Sequence, residues 1–145
     1  MSKGSELEPQ RYTGHLIRRA QQRHAALWTK HVSPEFSSVQ YAVLSVLARK
    51  PGASQSELGA ELDLDRSTIA DIVVRLEQRG VIERIAHESD RRRNALHLTA
   101  HGQVTVERLR PLVVDTNNLL TTGLSADEVA SLRSLLRRLL GAHPA

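Results

Sequence analysis

Two polar clusters carry most of the chemistry available to this chain. One is Asp90-Arg91-Arg92-Arg93, three guanidiniums in a row behind a carboxylate. The other is Asp65-Arg66-Ser67-Thr68, an arginine and two hydroxyls behind a second carboxylate. A guanidinium presents a planar fork of donors that fits phosphate and the O6/N7 edge of guanine, and Ser and Thr hydroxyls serve bases or phosphates. A neighbouring carboxylate can hold an arginine in a fixed pose through a bidentate pair. Recognition of a nucleic acid is the chemistry these groups suit. Catalysis has little to rest on: the chain shows no Ser/His/Asp spacing, no glycine-rich phosphate loop and no paired carboxylates. With no cysteine, disulfides, thiolate metal sites and thiol redox sensing are excluded. His24 with His31, and His97 with His101, have no carboxylate at ligand spacing, so no metal site and no cofactor is expected.

The elements that position the clusters can be read from the spacing of apolar residues. A helix is expected from about Gln10 to Val32, with Leu16, Ile17, Ala20 and Leu27 on one face beside His24 and His31, and His15, Arg18, Arg19, Gln22 and Thr29 opposite. Ser33-Pro34 ends it, and a second helix runs from about Ser37 to Arg49 with Val39, Val43, Leu44 and Leu47 as its stripe. Ser54 and Glu57 form a capping-box pattern for a short third helix ending at Leu62. After a turn at Asp63-Leu64-Asp65, a fourth helix extends from Asp65, its N-cap, to Gly80, its C′ residue. Ile69, Ile72, Val73 and Leu76 face inward. At 100° per residue, Ser67, Asp71, Val74, Arg75 and Gln78 then face outward, with Arg66 and Thr68 on the flanks.

Val81 to Ala86 and Ala95 to Leu98 are expected strands, joined by a charged turn that places Asp90-Arg91-Arg92-Arg93 at a hairpin tip. A long helix follows from Thr99 to about Thr122, in which Pro111 should introduce a kink or a break. Ser125, with Glu128 three residues on, caps a last helix whose Val129, Leu132, Leu135, Leu136, Leu139 and Leu140 make a broad apolar face. The class is mainly α, in the order α-α-α-α-β-β-α-α: a winged helix-turn-helix flanked by N- and C-terminal helices.

A chain of 145 residues with 40% apolar and 25% charged residues is of ordinary globular composition and one domain in length. Aromatics at 3% leave the core to Leu, Val, Ile and Ala. The net charge of +4 hints at a polyanionic partner, but residues 51–98 hold seven basic against nine acidic side chains. Placement of individual arginines, not bulk charge, must therefore carry the argument. No apolar run reaches signal-peptide or membrane-span length, so cytoplasmic residence without membrane contact is expected.

Residues 37–102 resemble the MarR family of bacterial transcription regulators. The matching stretches are Leu58-Gly59-Ala60-Glu61-Leu62, Asp65-Arg66-Ser67-Thr68-Ile69, Val74-Arg75-Leu76-Glu77-Gln78-Arg79-Gly80-Val81-Ile82, and Ser89-Asp90-Arg91-Arg92-Arg93 leading into Leu98-Thr99 and Gly102. The resemblance implies a homodimer held by the first, fifth and sixth helices on a pseudo-palindromic double-stranded operator. About 10–36 and 100–145 would form the dimerisation region, and about 37–99 the winged helix-turn-helix. It further implies that Arg92 enters the minor groove with Asp90 as its anchor, that Arg66, Ser67 and Thr68 begin the base-reading helix, and that Arg75 meets the DNA backbone. Ser54, Gln55, Asp71, Arg91 and Arg93 complete the expected DNA-contacting set. Asp71 departs from the basic or amide residue that many members carry there; pairing with Arg75 one turn on is its expected role.

The last helix exposes more apolar surface than a small monomer readily hides, and the first has an apolar face too, which points to a partner copy. By the same resemblance, a small aromatic acid or its coenzyme A thioester is the expected effector, releasing a repressor from its operator. His15, Arg18 and Arg19 are candidates for its anionic group, and His24, Trp28 and Tyr41 for a mixed apolar wall. The alternatives are a winged-helix module that binds protein or RNA, and a metal-responsive regulator.

Overall fold

The structure, a computed structural model, describes residues 8–87 and 90–141, with side chains for 8–86 and 95–141. A 3₁₀ turn (Glu8–Arg11) leads into α1 (Thr13–His31), α2 (Ser38–Arg49), α3 (Gln55–Leu62) and α4 (Arg66–Gln78). The antiparallel hairpin β1 (Ile82–His87) and β2 (Asp90–Leu98) follows, and then α5 (Ala100–Leu120) and α6 (Ala126–Leu139). The mainly helical winged architecture is as the sequence predicts.

The caps explain the boundaries. The Ser37 hydroxyl accepts from Gln40 N–H while the Gln40 side chain accepts from Ser37 N–H, and Ser125 and Glu128 repeat this arrangement at α6. Thr99 caps α5 and also welds it to the hairpin. Its Oγ1 accepts from Gly102 N–H at 3.0 Å and donates to the Gly80 carbonyl at 2.6 Å, while its own N–H donates to the Val81 carbonyl at 3.1 Å. Gly102 is required at that weld, because a Cβ there would stand 2.0 Å from the Val81 carbonyl oxygen.

The core gathers Val43, Leu44 and Leu47 of α2, Leu58 of α3, the inward stripe Ile69, Ile72, Val73 and Leu76 of α4, Leu96 of β2 and Leu109 of α5. The hairpin is anchored to this core by Ala53, which bridges Leu96: Gly52 N–H donates to the Leu96 carbonyl, and Leu96 N–H to the Ala53 carbonyl.

Four expectations are corrected. On α1 the expected face is not buried, since Leu16 and Ile17 are exposed; the buried residue is Trp28, whose Nε1 donates to the Phe36 carbonyl at 2.7 Å. On α2, Val39 is exposed and Val46 takes its place in the core. Pro111 does not split α5, which runs unbroken from Ala100 to Leu120. Pro111 and Glu107 are both exposed, so water can satisfy the carbonyl that the missing N–H leaves free. Finally, Asp90 to Arg93 are not a turn but part of β2. The pairing passes from Ala86↔Asn94 to His87↔Asp90, so the three arginines occupy an irregularity where the partner strand advances by one residue. α6 buries no residue against the rest of the protomer.

Candidate nucleic-acid interface

The turn between α3 and α4 is tight for reasons visible in single residues. Leu64 N–H closes back on the Gly59 carbonyl at 2.9 Å, and Asp63 adopts a left-handed backbone with φ of 53°. Aspartate tolerates that conformation better than most side chains. A Cβ at Gly59 would lie 2.9 Å from the Leu64 carbonyl oxygen, so glycine lets the two helices close on each other.

The first turn of α4 is built by Asp65. Its Oδ1 accepts from Thr68 N–H at 2.8 Å and from the Ser67 hydroxyl at 3.0 Å. These hydrogen bonds, the Thr68 amide first, hold the Asp65 carboxyl below its ordinary pKa. With the helix start fixed, Arg66, Ser67 and Thr68 are all exposed at the positive end of the helix dipole, a place suited to phosphate.

Further along the same face Asp71, Val74, Arg75 and Gln78 are exposed, as the helical period predicts. Arg75 Nε meets Asp71 Oδ2 at 3.2 Å, so the expected intramolecular pair is present. An open concavity between the two helices is lined by Gln55, Ser56, Ala60, Arg66, Ser67 and Ala70, which brings three expected contact residues, Gln55, Arg66 and Ser67, onto one surface. Ser54 stands one residue before, engaged as the α3 cap: its hydroxyl accepts from Glu57 N–H and donates to the Glu57 carboxylate. Asp90, Arg91, Arg92 and Arg93 have their backbone in β2, and their side chains lie outside the described residues.

Two residues that spacing did not reveal tie this face together. Arg84, on β1, donates Nε to Glu77 Oε1 at 2.8 Å and Nη1 to Gln55 Oε1 at 2.7 Å, linking the hairpin to both helices of the motif. Arg79, the C-cap of α4, lies with its guanidinium 4.9 Å from the Phe36 ring centroid and donates to the Glu35 carbonyl. Both links join residues distant in sequence, so no local period signals them.

The six candidate effector residues fall into separate groups. Arg18 and His15 pair at 2.8 Å on the exposed side of α1, and Arg19 is exposed beside them. His24, Trp28 and Tyr41 form an aromatic cluster, with centroid distances of 5.9 Å and 5.8 Å. Ten residues of helix place Trp28 about 15 Å along the axis from Arg18. A cavity of about 420 Å³ opens beside the cluster, walled by Gln21, Ala25, Trp28, Thr29, Phe36 and Gln40 among others. Of the six candidates, Trp28 alone lines it.

Among the described residues no helix is long and apolar enough to cross a membrane, and no group of three His, Cys, Asp or Glu could hold a metal ion.

Known proteins share this arrangement. Residues 36–93 match the model of the MarR family. The chain is 31% identical over 87% of its length to the transcriptional regulator HosA of Escherichia coli, covering 93% of that protein. Its fold superposes with a TM-score of 0.89 on the PcaV transcriptional regulator of Streptomyces coelicolor, solved in complex with its natural ligand, at 40% identity and covering 95% and 98% of the two chains. A mutant MarR of Escherichia coli complexed with operator DNA gives a TM-score of 0.80 at 31% identity, with 88% and 92% covered. The chain belongs to the MarR family of transcriptional regulators.

Proposed function

We propose that this protein is a homodimeric, sequence-specific repressor that binds a pseudo-palindromic operator through α4 and the β1–β2 wing, and that a small aromatic acid or its acyl thioester releases it. The observation that carries the reading is the face of α4: a capped, amide-rich N-terminus with Arg66, Ser67 and Thr68 exposed over a concavity shared with Gln55. A first turn of this kind suits major-groove base edges, and its amides suit phosphate. The wing arginines Arg91, Arg92 and Arg93 suit a minor groove, whose negative potential rewards a guanidinium.

The dimer is supported by α6 and its neighbours. Leu132, Leu135, Leu136 and Leu139 are exposed, together with Leu16 and Ile17 of α1 and Val114 and Leu119 of α5. Such a surface is larger than a monomer ordinarily leaves to water. Two readers related by a two-fold axis suit half-sites about 34–36 Å apart. The effector is supported by the cavity beside Trp28 and by the ligand-bound relative. An occupant there would touch the segment that Arg79 ties to the C-terminus of α4.

The test is titration of the purified protein onto the DNA upstream of its own gene, followed by anisotropy at several salt concentrations with a scrambled duplex as control. Tight binding to that DNA alone, weakened in Arg92→Ala with the dimer intact, supports the reading; aromatic acids and their thioesters are then screened for release. Equal weak binding to both duplexes, and to a selected pool of random duplexes, would overturn it in favour of a protein- or RNA-binding winged helix.

A further inference from the structure

A guanidinium has donors and no acceptor, whereas a glutamine amide has one end of each kind. Arg84 Nη1 lies 2.7 Å from the Gln55 side chain, so the amide can only present Oε1 to it. Its Nε2, with two hydrogens, is thereby the end that does not face Arg84, on a residue that borders the concavity shared with Arg66 and Ser67. Arg84 is itself fixed, because its Nε is held by Glu77 of α4 at 2.8 Å and both side chains are largely covered, at 30% and 31% exposure. DNA phosphate accepts and never donates. An amide rotated by half a turn would offer it the wrong end.

From this we infer that Arg84 is a positioning residue for DNA recognition: it sets the polarity of the Gln55 amide so that Nε2 donates to a backbone phosphate, and it locks the base of the wing to α3 and α4 while doing so. The inference rests on the DNA-binding reading above and deepens it. Arg84 acts through Gln55 and does not neutralise a phosphate itself. Its charge is compensated by Glu77.

The experiment is a double-mutant cycle of Arg84→Ala and Gln55→Ala in the full-length protein, measured on operator duplex across a salt series, with melting temperature and oligomeric state alongside. Each single variant should weaken operator binding about tenfold per half-site, the loss of one hydrogen bond to a charged group. The double variant should bind no worse than Arg84→Ala alone, because the contact that Gln55 supplies is already lost in that variant. The slope of affinity against salt should be unchanged in Arg84→Ala, since no phosphate neutralisation is lost. Additive losses, or a slope reduced by about one unit, would show Arg84 to be a direct phosphate ligand and overturn the inference. A fall in melting temperature without loss of affinity would overturn it too, leaving a purely structural role.

A second readout needs no DNA. The side-chain amide resonances of Gln55 should report a fixed rotamer in the wild type and an averaged one in Arg84→Ala. An averaged amide in the wild type would refute the positioning outright. Wild-type protein that shows a fixed amide but no operator preference would sink the DNA reading instead.

Discussion

Replacing Gly102 with alanine sets two well-understood effects against each other. Gly102 is the third residue of α5, and alanine in a helix is intrinsically favoured over glycine by about 1 kcal/mol. The new Cβ, however, would lie 2.0 Å from the Val81 carbonyl oxygen, 3.0 Å from its carbonyl carbon and 3.3 Å from a Leu98 methyl. A relaxed carbon–oxygen contact is about 3.3 Å, so backbone must move by more than an ångström. The moving parts cannot yield cheaply. Val81 is fully buried, and its carbonyl already accepts from Thr99 N–H.

Overpacking of this kind costs roughly 3 kcal/mol and the loosened hydrogen bond about 1 more, against the gain of about 1, for a net loss of about 3 kcal/mol. For a chain of this size that is a melting temperature lower by roughly 10 °C, at fixed protomer concentration. Gly14→Ala is the internal control. It is also helical, nothing lies within 4 Å of its added Cβ, and it should be neutral or slightly stabilising. Urea denaturation of the two variants checks both. A Gly102→Ala protein as stable as Gly14→Ala would refute the account of the α5 junction.

Three further outcomes are expected. Asp71→Ala should leave the melting temperature unchanged, because its pair with Arg75 is 64% exposed on both sides and such pairs contribute little. It should instead re-rank operator variants by freeing Arg75, and an equal loss on every variant in competition anisotropy would count against that. Asp65 has a lowered pKa in the folded state, so its stabilisation of α4 is full above the ordinary aspartate value and is lost as pH falls through the lowered one. The stability gap between wild type and Asp65→Asn, measured by denaturation from neutral to strongly acidic pH, should therefore shrink on acidification; a constant gap would contradict it. The double variant Leu135→Asp/Leu139→Asp, altering two exposed leucines that bury nothing within the protomer, should halve the mass seen in sedimentation while α1 to α5 keep their helicity. An unchanged mass would remove α6 from the proposed dimer interface.

What the sequence made legible was whatever depends on local period and local hydrogen bonds. The inward and outward faces of α4 follow from 100° per residue, and Ile69, Ile72, Val73 and Leu76 are all buried as that requires. The caps at Ser54, Asp65 and Ser125 are i to i+3 contacts and equally local. The Asp71–Arg75 pair is one helical turn. What escaped was settled by tertiary partners. The Arg84 link to Gln55 spans 29 residues and the Arg79 link to Glu35 spans 44, so neither has a sequence signature. Trp28 became the buried residue of α1 because the Phe36 carbonyl, eight residues on, receives its indole N–H. β2 begins at Asp90 because pairing with β1 outweighs the turn-forming appearance of a charged stretch. The effector candidates separated because His15, Arg18 and Arg19 lie on the face of α1 opposite His24 and some turns before Trp28, whose ring partner Tyr41 comes from α2.

The chain contains a single tryptophan. Trp28 is 6% exposed, flanked by His24 and Tyr41, and its indole N–H joins α1 to the segment held by Arg79, forming a seam between them. Its intrinsic emission is thus a label-free gauge of that seam. A compound entering the adjoining cavity should quench or shift the indole signal as it binds, and a titration in a cuvette then yields an affinity before any DNA is added. Comparing that affinity with the concentration needed to release operator measures how tightly occupancy of one seam is geared to movement of the reading helix.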